Sequence, residues 1–317
     1  MPEITFLIGN GFDLNLGLKT DYKAFLEEYV NEASKTDIIY AFKEAIEKDK
    51  DLWSDVELAL GKITNNYSSD EKGAREFFEC HGDICESLSN YLKKEELKID
   101  NDKIDVVRSA LINLMNKYDY GFRLDRSRLI RNALNYYPGE TNYNYLIFNF
   151  TEIIDKCFMD HNLINEGLKK RTYRGNDFNS YVSNVVHVHG TTAEDMIFGV
   201  NDESQIDNME MFNNSNDIYR QELIKQSCNK NNGKDIDTLA KGIIATSNIV
   251  YLYGMSIGDT DALWWERICD LLVSNPNAQV IVYRYPVPVR GVNNFSFLLA
   301  EDDLRNRIVS FGNIPSN

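Results

Sequence analysis

Apolar residues open the chain as a short block. Ile4-Thr5-Phe6-Leu7-Ile8 stops at Gly9, and its length and β-branched content fit a buried strand over residues 3–8. Thr20 then reads as a helix N-cap. Behind it Tyr22, Phe25, Leu26, Tyr29 and Val30 recur at spacings of three and four, which gives one apolar helical face. A second stripe runs through Trp53, Val56, Leu60 and Ile63, and Ser54-Asp55-Val56-Glu57 fits a capping box beside it. Further amphipathic stretches are predicted near 70–98, 103–117 and 124–136. The charge-rich segment Lys93 to Lys103 fits a solvated helix end and turn.

The periodicity changes at Pro138-Gly139. Strand-like runs follow at Tyr145–Phe148, Val185–Val188, Met196–Phe198, Ile249–Tyr253 and Val280–Tyr283. Helical stretches near 217–229 and 260–273 separate several of them, and the polar segments 201–217 and 229–235 read as loops. Strands alternating with helices predict an α/β fold with a mainly parallel sheet covered on both faces. The expected core is therefore residues 1–20 and 140–317, interrupted by a helical insertion over 21–139.

Charge narrows the range of partners. The 34 basic residues face 49 acidic ones, and a net charge of -15 repels phosphate backbones and anionic membranes. Nucleic acid is thus a disfavoured partner. The five cysteines are odd in number and form no Cys-x-x-Cys pair, which speaks against a zinc ribbon or a disulfide scaffold and for a reducing compartment. With no basic leader and no apolar run near the roughly 20 residues of a membrane span, the expected location is the cytoplasm, with no membrane partner.

In an open α/β sheet, ligands gather beyond the carboxyl ends of the strands. Four predicted strands here hand over to glycine or to hydrogen-bonding side chains. The first meets Gly9-Asn10-Gly11-Phe12-Asp13, where two glycines permit a tight turn and close approach of a phosphate. The same residues also suit an ordinary strand-to-helix turn. Leu14 stands where a dehydrogenase fingerprint has its third glycine, so hydride transfer is a weak candidate. The second strand ends at Asn149 and Thr151, and the Asn149 amide suits either orientation of a substrate or water, or a helix N-cap. His187 and His189, two apart on a predicted strand, share a face. Three readings stand for them: His189 as a general base, the pair as metal ligands lacking an evident third ligand, or two histidines that only make hydrogen bonds. The last turn, Gly254-Met255-Ser256, suits phosphate or ribose, or again a plain turn. Trp264 and Trp265 fit packing better than ligand contact.

The run Gly9-Asn10-Gly11-Phe12-Asp13-Leu14-Asn15-Leu16-Gly17-Leu18 resembles the opening signature of AbiH-type bacteriophage abortive-infection proteins. Phe148–Thr151, His187–Gly190, Gly254–Ser256 with Asp261, and Trp53 with Glu57 resemble later motifs of that family, in the expected order. The same blocks are more distantly similar to sirtuin-like NAD-binding domains. That similarity implies a Rossmann-like core with NAD as ligand or substrate, Asn149 and His189 as catalytic residues, and nucleotide contacts from Gly9, Asn10, Gly11, Asp13, Gly254 and Ser256. The zinc-binding cysteine pairs of sirtuin deacylases are absent, which argues against peptide deacylation, and no metal site is expected. Thr151 and Lys19 depart from the sirtuin pattern. The resemblance implies a phage-defence effector that cleaves the N-glycosidic bond of NAD. Its rivals are a non-catalytic nucleotide sensor that controls assembly, and a toxin acting on another nucleotide or nucleic acid. The insertion offers surface for homo-oligomer contacts or for a phage-derived trigger.

Overall fold

The computed structural model describes residues 1–119, 122–158, 167–212, 218–231, 235–255, 262–284 and 307–312. The chain forms two compact units: Met1–Asn15, Ile99–Val188 and Thr238–Asn317 build the first, and Leu16–Lys98 with His189–Asp237 the second. The helical stretch expected as one insertion is shared between them, with residues 99–139 belonging to the first unit.

The first unit holds a six-stranded sheet. Its strands are β1 (Glu3–Ile8), β2 (Thr141–Ile147), β5 (Ser180–His187), β6 (Ile249–Tyr253), β7 (Gln279–Arg284) and β8 (Ile308–Gly312). A separate antiparallel hairpin joins β3 (Arg171–Tyr173) to β4 (Asn176–Phe178). The sheet order is β5-β2-β1-β6-β7-β8, and every pairing is parallel. With the hairpin set aside, this is the 3-2-1-4-5-6 order of doubly wound dinucleotide-binding sheets. The strand order reverses between β1 and β6, where such folds open a crevice. Register levels the strand ends: Ile8 lies opposite both Ile147 and Tyr253, and Ile147 lies opposite His187.

Both faces of the sheet are covered, which is why its central strands carry few polar residues. On one face Phe6 stacks between Tyr145 and Tyr251 at 5.0 Å each. Burial pushes both phenols well above their ordinary range. The helices α6 (Asn101–Asn116) and α8 (Ile153–Phe158) meet this face, where Tyr143 donates to the Met115 carbonyl and Phe158 packs on Tyr145. On the other face Leu7, Leu146, Val250 and Leu252 pack with α11 (Ile236–Thr246) and α12 (Ala262–Ser274). Trp264 and Trp265 are core residues of that layer. β2 begins four residues before its apolar run. Its polar positions Asn142 and Asn144 donate their amides to Glu3 of β1 at 2.7 and 3.0 Å, so they are satisfied inside the ladder.

The second unit is helical, with α2 (Tyr22–Tyr29), α3 (Asp37–Lys48), α4 (Val56–Ile63), α5 (Glu71–Glu96), α9 (Ile218–Leu223) and α10 (Lys225–Asn231). Two caps differ from expectation. Asp21, not Thr20, caps α2, and Asp55, not Ser54, caps α4 by accepting from Leu58 N. Glu57 therefore has no part in a capping box. It turns inward to Lys225 Nζ at 2.6 Å, and Tyr22 donates to its other oxygen at 3.3 Å. Met196–Phe198 is not a strand. It runs as irregular chain whose Ile197 and Phe198 are buried, with the Phe198 carbonyl accepting from His81 at 2.7 Å. Burial holds the His81 imidazole below its usual range, which keeps it neutral. Among the described residues, no helix is long and apolar enough to cross a membrane.

Candidate functional site

Three level strand ends of the first unit supply the site. β1 runs into Gly9-Asn10-Gly11 and the short helix α1 (Gly11–Asn15), β2 into Phe148-Asn149, and β6 into Gly254-Met255. The β1 and β6 turns are sewn together by backbone. Gly9 N donates to Tyr253 O at 2.9 Å, and Gly11 N to Gly254 O at 2.8 Å. A Cβ on Gly11 would sit 2.5 Å from Gly254 Cα, and one on Gly9 would sit 2.7 Å from Gly254 O. The glycines thus serve the close approach of two strand-end turns at the point where the strand order reverses. Their two N–H groups are engaged there, so the phosphate-cradle role expected of Gly9 and Gly11 does not run through those donors. Asn10, half-buried, sits between them.

From that turn Asp13 points into the unit and is fully buried. Its Oδ2 accepts from Thr151 Oγ1 at 2.8 Å, and Thr151 Oγ1 in turn accepts from Asn149 Nδ2 at 3.1 Å. A carboxylate can only accept, so the order of donation is fixed: Asn149 to Thr151 to Asp13. The relay dictates which way the Asn149 amide faces. Its nitrogen is engaged, and its Oδ1 is buried with no hydrogen-bond partner among the described residues while the residue is 5% exposed. A buried, oriented acceptor of this kind is costly unless a donor fills it. Replacing Thr151 by valine, near in shape but without the hydroxyl, takes from Asp13 a hydrogen bond to a charged group. It should lower stability by about 1.5–3 kcal/mol, read from urea unfolding.

The histidines separate. β5 ends at His187, so the expected shared strand face stops there, and Val188 N still donates to Ile147 O at 2.8 Å. His187 belongs to the first unit, with Nε2 at 2.6 Å from Asp155 Oδ2 and Nδ1 at 3.3 Å from the Asn149 carbonyl. His189 belongs to the second unit, where it is buried and its carbonyl accepts from Ile197 N at 2.8 Å. Ser256, Asp259 and Asp261 lie outside the described residues. Among the described residues no three His, Cys, Asp or Glu side chains gather as metal ligands would.

Comparison with known families decides the relationship. A family model described as bacteriophage abortive infection AbiH matches residues 5–283. The chain belongs to the AbiH family. Its role is therefore in the abortive response to bacteriophage. The match takes in every strand end of the AbiH site described above. No curated protein matched the chain. Sequence reasoning had singled out Gly9, Gly11, Asp13, Asn149 and Gly254, which the first unit brings together. It missed Thr151 and Asp155 as partners. Thr151 lies two residues after Asn149 in the strand-to-helix connection, and Asp155 lies in the first turn of the helix that follows, α8; that nearness was the signal available.

Proposed function

We propose that the strand-end site of this AbiH protein takes a ribose-bearing nucleotide, with NAD as the leading candidate, and that the phage response acts through hydrolysis of its nicotinamide–ribose bond. The buried Oδ1 of Asn149, unpaired among the described residues, carries the reading, because a ribose hydroxyl or an attacking water is a donor of the size and polarity it lacks. The strand order supports it, since such sheets bind dinucleotides beside the reversal point. Asp13 and Thr151 hold the amide, and Gly9, Gly11 and Gly254 hold the two turns against each other. Asn10 and Ser256 stay nucleotide contacts on the sequence resemblance, as does His189 in the role of base.

In this reaction the C1′–N bond breaks with its electron pair moving to the nicotinamide nitrogen. The cationic ring leaves neutral, and charge develops on the ribose as in glycoside hydrolysis. Water oxygen bonds to C1′, and its proton passes to the base. Nicotinamide release by wild type, with turnover lower by roughly 10²–10⁴-fold in both N149A and H189A, is the expected result. NAD bound without release, unchanged in H189A, would transfer the site to the sensor reading. Neither binding nor release would remove NAD.

A further inference from the structure

Asn149 is held twice, once through its side-chain amide and once through its backbone carbonyl. The relay to Asp13 fixes its side-chain amide. Its backbone is met from the other side by His187, the last residue of β5.

This second hold has a physical reason. Up to Phe148 the chain is still tied to the sheet, with Phe148 N donating to Ile8 O at 2.8 Å. Asn149 is the next residue, beyond β2, and it is 5% exposed. A buried carbonyl outside the ladder needs a donor. His187 Nδ1 lies 3.3 Å from that carbonyl, and Nε2 lies 2.6 Å from Asp155 Oδ2. The imidazole is thus wedged between a carboxylate on α8 and the peptide that carries Asn149. Its side chain is 9% exposed, so the ring has little freedom to leave.

We propose that His187, backed by Asp155, is a positioning residue for Asn149: with both ring N–H groups in use, Nε2–H on the Asp155 carboxylate and Nδ1–H on the Asn149 carbonyl, it fixes the peptide from which the Asn149 Oδ1 projects. Two carboxylates then anchor one asparagine through one intermediary each, Asp13 through Thr151 and Asp155 through His187. The inference rests on Asn149 being the ligand-facing acceptor, and it assigns His187 no contact with the ligand.

Two substitutions separate this role from simple packing. Asparagine at 187 puts an amide N–H near the Nδ1 position and falls short of Asp155. Glutamine puts one near Nε2 and leaves the Asn149 carbonyl without a donor. The direct readout needs no ligand: the side-chain amide signal of Asn149 in a ¹H–¹⁵N spectrum of the full chain, assigned by its loss in N149A. We expect H187Q and H187A to shift or broaden that signal and H187N to preserve it. NAD affinity should follow the same order, falling roughly tenfold or more in H187Q, because small misplacements of a positioning group are costly. An unchanged Asn149 signal in all three variants, or H187N behaving like H187A, would overturn the proposal. Equal losses of urea stability in all three beside an unmoved Asn149 signal would mark a structural role and overturn it equally. If wild type binds no NAD, the nucleotide reading falls, and the amide signal still decides this one.

Discussion

Replacing Lys225 by methionine should destabilise the second unit by about 3–5 kcal/mol, the usual cost of leaving one partner of a buried ion pair alone. Lys225 is 4% exposed and Glu57 11%, and their contact at 2.6 Å joins α4 to the start of α10. Without the ammonium, Glu57 keeps among the described residues the weak donation from Tyr22 at 3.3 Å, in surroundings from which water is largely excluded. The carboxylate must then either stay charged without a cation or bind a proton, and both are unfavourable. The double variant Glu57→Leu with Lys225→Met should recover most of the loss, since apolar replacement of both partners is often neutral. Urea unfolding of the three proteins tests this. A single variant within about 1 kcal/mol of wild type would place the pair among weak, solvated ion pairs.

Gly254→Ala should be nearly as severe, for a different reason. Gly254 has φ of 68°, in the left-handed region, and a Cβ there would lie 2.5 Å from Phe12 N and 2.7 Å from Gly11 C. Both obstacles are backbone and cannot rotate aside. A left-handed alanine costs about 1–2 kcal/mol, and forcing the turns apart should add about 1–3 kcal/mol of overpacking. The Gly11 N to Gly254 O bond would be strained with them. Gly17→Ala is the natural control. Gly17 has φ of 84° with nothing within 4 Å of the added atom, so only the conformational cost of about 1–2 kcal/mol applies. Thermal melts should rank the two clearly, and nucleotide binding should be lost in Gly254→Ala alone. Equal melts would mean that the packing of the two strand-end turns adds nothing.

Much of the fold was legible because buried parallel strands and amphipathic helices write their burial into the sequence. Ile4–Ile8 and Ile249–Tyr253 are apolar runs bounded by glycine or polar residues, and both are strands. The stretches near 70–98, 103–117 and 124–136 correspond to α5, α6 and α7 (Leu124–Asn135). Failures came where side chains answered to distant partners. Met196–Phe198 is apolar because it fills the second unit, not because it pairs with a strand. β2 extends back through Asn142 and Asn144 because Glu3 accepts their amides. Ser54 lost the α4 cap to its neighbour Asp55. Glu57, expected to close that cap, instead met Lys225, 168 residues away in the chain.

Fold class, family and the strand ends worth watching could all be read from the amino-acid order, since periodicity and short motifs are local properties. The family match over residues 5–283 and the all-parallel sheet agree with that reading. Tertiary structure alone decided what the watched residues do there. It showed that Gly9 and Gly11 give their N–H groups to β6, that Asp13 reaches Thr151 across 138 residues, and that His187 and His189 part company at the end of β5. Hydrogen-bond partners and hard-sphere contacts depend on which strands lie side by side, and β1 lies between β2 and β6 only once about 250 residues of chain have been folded back onto it.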